Sequence, residues 1–70
     1  MSNIPYKLFF SALGNDTRLK IVMALRKKQK NVSQLTKEIG YDQTTVSHGL
    51  QKLMKYGFVF MEKRGKERYY

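Results

Sequence analysis

The sequence predicts a mainly α fold, four helices followed by a two-stranded hairpin, and three observations predict it. Apolar residues recur at helical spacing through most of the chain, glycines close the periodic segments, and after Gly57 the pattern changes to strand formers around a charged turn. At 70 residues the chain has room for one domain, 1–70, with a small core.

Ile4-Pro5 opens the first candidate helix, since proline is tolerated in a first turn, and residues 6–13 are apolar on more than one face before Gly14 stops it. Asn15 or Asp16 then caps a second helix running to Lys27 or Lys28. Its expected inward stripe is Leu19, Val22 and Leu25 with Ile21, and Arg26, Lys27 and Lys28 suit its C-terminal end. Lys30-Asn31-Val32 reads as a short break with the character of a single strand-like step. Ser33 is the expected N-cap of a third helix, 34–39, which Gly40 ends. Asp42 caps a fourth, 43–56, whose Val46, Leu50 and Leu53 recur at i, i+4 and i+7 until Gly57. Residues 58–61 read as a strand, Arg64-Gly65 as a hairpin turn, and residues 67–70 as the returning strand.

Fourteen Lys and Arg against five Asp and Glu leave a net charge of +9, a field that attracts polyanions. The absence of cysteine excludes a disulfide framework and a thiolate metal site. No apolar run approaches the roughly 20 residues that span a bilayer, and the N-terminus lacks the layout of a signal peptide, so a cytoplasmic, nucleoid-associated protein with no membrane partner is expected.

Two helices joined by a turn as short as residues 40–42 must cross steeply, which makes residues 33–56 a helix-turn-helix and the whole arrangement a winged helix-turn-helix. With Val46, Leu50 and Leu53 turned inward, helical geometry puts Gln43, Thr44, Thr45, Ser47, His48 and Gln51 outside. That face suits base edges: Gln bonds adenine bidentately, hydroxyls donate or accept, and a Thr methyl meets the thymine methyl. The plainer reading is an ordinary solvated helix start. A membrane-binding helix would instead carry large apolar residues on such a face. Ser33, Lys52, Lys55, Lys63, Arg64, Lys66 and Arg68 are the candidate contacts to the DNA backbone, the last four from a hairpin at 62–68 that would probe a phosphate or the minor groove. Exposed turns also carry charge for solubility and edge protection. Arg26, Lys27, Lys28 and Lys30 are read as solvated, completing the helix dipole. His48 has no companion for a metal site or a catalytic dyad, so no metal, cofactor or enzyme activity is expected.

Several stretches resemble a known family. These are Phe10-Ser11-Ala12-Leu13-Gly14-Asn15-Asp16-Thr17-Arg18-Leu19-Lys20-Ile21, Val32-Ser33-Gln34-Leu35-Thr36, Thr44-Thr45-Val46-Ser47-His48-Gly49-Leu50-Gln51-Lys52-Leu53, and Gly57-Phe58-Val59 followed by Gly65-Lys66-Glu67-Arg68-Tyr69-Tyr70. In order and spacing they resemble the ArsR-type (arsenical-resistance-repressor) winged-helix regulators. The resemblance implies a dimeric repressor that binds double-stranded DNA and leaves its operator when an inducer, often a metal ion, binds. Three departures accompany it. Residues 33–39 have none of the cysteines of metal-sensing members. The family usually has a His directly before the leucine of the reading helix, where this chain has Gly49, with His48 one place earlier. The family also continues past the position of Tyr70 into a helix that supplies much of its dimer interface, so Tyr6, Phe9, Phe10 and Leu13 are the expected dimer surface here. In the mid-helix context Gly49 costs about 0.5–1 kcal/mol relative to Ala, which points to close backbone packing or a tolerated loss. The alternative function is a winged-helix protein-interaction module using the Phe9-Phe10 surface.

Overall fold

The computed structural model describes residues 13–70. They form α1 (Asp16–Leu25), α2 (Val32–Ile39), α3 (Gln43–Lys55) and an antiparallel hairpin of β1 (Glu62–Arg64) and β2 (Glu67–Tyr69). The first expected helix, with Tyr6, Phe9 and Phe10, lies outside the described residues; Leu13 packs half-buried against the core. Three helices, not four, therefore stand among the described residues.

Asn15 caps α1, its side chain accepting from the Arg18 N–H at 3.2 Å. The helix ends at Leu25, earlier than expected, and Arg26, Lys27 and Lys28 are exposed beyond it. Its inward face is Ile21 and Ala24, whereas Leu19 is 43% exposed and Val22 and Leu25 are half-buried. Ile21, Val22 and Leu25 of the expected stripe thus lie in or against the core, while Leu19 does not and Ala24 joins them, because Leu19 and residues 21–25 are all apolar and periodicity cannot choose a face within such a run.

At α2, Asn31 takes the capping role expected of Ser33. Its Oδ1 accepts from the Gln34 N–H at 2.8 Å while its own N–H donates to Gln34 Oε1 at 2.9 Å. This reciprocal box satisfies two orphan donors where a serine cap satisfies one, so Asn31 prevails and Ser33 moves into the first turn, exposed. Gly40, at φ +85°, closes α2 in the left-handed conformation that residues with a Cβ avoid.

Asp42 caps α3 as expected. Val46, Leu50 and Leu53 are buried and join Ile21, Ala24, Leu35 and Val59 in the core. Gly49 is buried as well, and a Cβ built there would stand 2.7 Å from Ile21 Cδ1. Close backbone packing of α3 on α1 is thus the reason for a glycine in mid-helix. At the other end the Phe58 N–H bonds the Leu53 carbonyl and the Gly57 N–H the Met54 carbonyl, the double bond of a helix stop with Gly57 left-handed.

That stop explains why the strand expected at 58–61 begins later. Phe58 is committed to ending α3, Val59 is buried in the core, and Phe60 is 79% exposed. Pairing starts only at Glu62↔Tyr69, with Gly65-Lys66 rather than Arg64-Gly65 as the two-residue turn. Lys30 and Tyr70 exchange both backbone hydrogen bonds, at 3.1 and 2.9 Å, so the strand-like step before α2 pairs with the residue following β2. An isolated two-stranded hairpin is marginal in water, and this pairing holds it to the helical body.

Candidate nucleic-acid interface

The same register that buries one side of α3 exposes the other. Gln43, Ser47 and Gln51, four residues apart, face a cleft whose other walls are the start of α2 at Ser33 and the wing at Lys66 and Arg68. Gln43, Thr44, His48 and Gln51 are exposed and Ser47 is half-buried. Of the six expected base-reading residues, Thr45 stands apart. Its hydroxyl donates to Asp42 Oδ1 at 2.6 Å and its N–H to Asp42 Oδ2 at 3.1 Å, so its proton serves the cap and its side chain is half-buried. The two donations from Thr45, hydroxyl first and N–H second, hold the Asp42 carboxyl below its ordinary range.

The wing cations divide in the same manner. Lys63, Lys66 and Arg68 are exposed along the hairpin. Arg64, expected to be a flexible probe, donates instead to Glu62 Oε1 and to Gln29 Oε1 and lies 4.8 Å over the Tyr69 ring. It ties the hairpin to the α1–α2 connection, a role its sequence neighbourhood did not reveal because Gln29 lies 35 residues away.

Two further groups position the helix pair and escaped the sequence reading. Lys30, expected to be solvated, is 5% exposed; its ammonium donates to the Ala24 carbonyl at 2.8 Å and sits 3.6 Å from Glu38. It completes the end of α1 while its backbone holds the wing. Tyr41, in the turn between α2 and α3, donates to Asp16 Oδ2 at 2.5 Å, and Lys20 donates to the Tyr41 hydroxyl at 3.2 Å with its ammonium 5.0 Å over the ring. The Tyr41 bond first, and Lys20 second, lower the Asp16 pKa; the bonds to Tyr41 and then Asp16 raise that of Lys20. For the cap of α2 the sequence did carry a signal, Asn31 with Gln34 three residues on, the spacing of a capping box.

A helix pair with a polar outward row beside a cationic hairpin is the arrangement with which a duplex groove is read. The sequence profile described as bacterial regulatory protein, arsR family, matches residues 15–60. The chain belongs to this family. Its described fold is accordingly the winged helix-turn-helix of an ArsR-family transcriptional regulator's DNA-binding domain. NolR from Sinorhizobium fredii is similar with a TM-score of 0.86 and 26% identity, covering 100% of this chain and 79% of that one. The homodimeric winged helix-turn-helix DNA-binding domain Mb0332 from Mycobacterium bovis, a possible ArsR-family transcriptional regulator, gives a TM-score of 0.84 and 26% identity over 100% of this chain and 73% of that one. Reduced HlyU from Vibrio cholerae gives 0.86 and 25% identity over 93% and 68%. No curated protein sequence matches the chain significantly. Among the described residues of this ArsR-family domain, no helix is long and apolar enough to cross a membrane.

Proposed function

We propose that this ArsR-family chain is a sequence-specific repressor that binds double-stranded DNA as a homodimer in the cytoplasm. Helix α3 lies in the major groove with Gln43, Thr44, Ser47, His48 and Gln51 toward base edges, and Lys63, Lys66 and Arg68 of the wing meet the backbone. Ser33 at the exposed start of α2 and Lys52 and Lys55 at the end of α3 add phosphate contacts. Tyr6, Phe9, Phe10 and Leu13 are proposed for the dimer surface. The observation that carries the reading is the row Gln43, Ser47, Gln51, lining one cleft between the start of α2 and the cationic hairpin while the opposite side of α3 is buried. Its support includes the likeness to Mb0332, described as a homodimeric DNA-binding domain.

The test is duplex binding across a range of salt. Affinity falls with salt at a log–log slope of roughly 0.9 per phosphate contacted. Lys66→Ala weakens specific and random duplexes alike, while Gln43→Ala erodes the preference for the specific one by about 1–3 kcal/mol. Lys66 is the cleaner backbone probe than Arg64, whose removal would also loosen the hairpin. A parent slope near zero, or a Gln43→Ala loss equal on specific and random DNA, would refute the proposal.

A further inference from the structure

The reading helix has a second cationic edge, built jointly with α1. A Cβ at Gly49 would meet Thr17 Cγ2 at 3.5 Å and Arg18 Cγ at 3.7 Å, as well as Ile21. The glycine therefore lets the first turn of α1 lie against α3, with Arg18 Cγ beside it. Arg18, Thr44, His48 and Lys52 line one cleft. His48 and Lys52 continue with Lys55 into the next. Residues 44, 48 and 52 form the row about 100° round the helix from 43, 47 and 51, so this edge adjoins the reading row and is distinct from the wall that faces the wing.

We infer that Arg18 and Lys52, with Lys55, grip the phosphate strand opposite the one held by the wing, beside His48 of the reading face. The inference rests on the DNA-binding reading above. A helix about 10–12 Å across with its side chains fills a major groove about 12 Å wide, and such a groove is bounded by a phosphate strand on each side. A protein holding only one strand would leave the other facing its flank. Arg18, in the first turn of α1, brings a cation to the same cleft that Lys52 lines near the end of α3, and Lys55 extends it. Gly49 is then a positioning residue, since it sets how near Arg18 comes to the reading helix.

The experiment uses the full chain and a duplex enriched by it from a random-sequence pool. Arg18→Gln and Lys52→Gln each lower the salt slope by roughly 0.9, as Lys66→Ala does on the wing side. Arg18→Lys keeps the parent slope, which separates loss of charge from loss of packing, and exposed Lys52 makes the same test without disturbing α1. Neutral methylphosphonate linkages placed on one strand at a time weaken the parent on both strands of a half-site; Arg18→Gln becomes less sensitive to those on one strand only. Parent-like slopes for Arg18→Gln and Lys52→Gln, alongside a reduced slope for Lys66→Ala, would overturn the second edge and leave DNA binding intact. Failure of the parent to enrich any duplex, with no salt dependence, would overturn the DNA reading and this inference with it.

Discussion

Gly49 shows how one missing carbon decides a packing distance. Replacing it with alanine recovers about 1 kcal/mol of helix preference but overpacks the core at a cost of about 1–3 kcal/mol. The overpacking wins, because the nearest atom, Ile21 Cδ1, belongs to a side chain with no exposure and little room to move. Gly49→Ala is expected to destabilise modestly. Ile21→Val removes that methyl, so the double variant is expected to be more stable than the sum of the two single losses, as read from urea midpoints in a double-mutant cycle. Strict additivity would show that the contact is not the reason for the glycine. The mid-helix glycine itself was legible as an anomaly in the sequence; its partner was not, because Ile21 is one of several apolar residues in α1 and nothing local singles it out.

At the scale of elements, the turn between α2 and α3 is clamped to α1 by Asp16, Tyr41 and Lys20. Asp16 and Asp42 both have carboxyls held below the ordinary value in the folded chain. Such groups contribute stability that is present above the unfolded value, about 3.9, and is lost as pH falls through the lower folded value. Lys20, raised, does the reverse: its contribution is present below about 10.4 and is lost as pH rises through its folded value. Tyr41→Phe removes the first cause of both the Asp16 and the Lys20 shift. It is expected to flatten the acid limb below about pH 4 relative to the parent, leaving the Asp42 part and the share that Lys20 supplies to Asp16. Urea midpoints between about pH 2 and 5 check this; parallel acid limbs for parent and variant would remove the clamp from the account. The existence and order of the three described helices were readable from periodicity and from the glycines at 40 and 57. Boundaries were less so: Asn31 displaced Ser33 through its reciprocal bond with Gln34, and the strand expected at 58–61 yielded to the termination of α3.

Over the whole molecule, the outward row of α3 was legible because the inward residues fix it by geometry, whereas the attachments of the wing were not. Arg64 reaches Gln29 and Lys30 pairs with Tyr70 across most of the chain, and composition carries no trace of such distances. Lys30 joins the end of α1 to the wing: its ammonium bonds the Ala24 carbonyl, and its backbone holds Tyr70. Neighbouring Lys27 and Lys28 are exposed. An amine-acylating reagent should therefore modify Lys27 and Lys28 promptly and Lys30 only on opening, with mass spectrometry following each site as urea rises. Equal rates at all three in native buffer would contradict the burial. The buried lysine is thus a built-in gauge of how often the junction between the end of α1 and α2 opens, read against two adjacent amines that are always within reach.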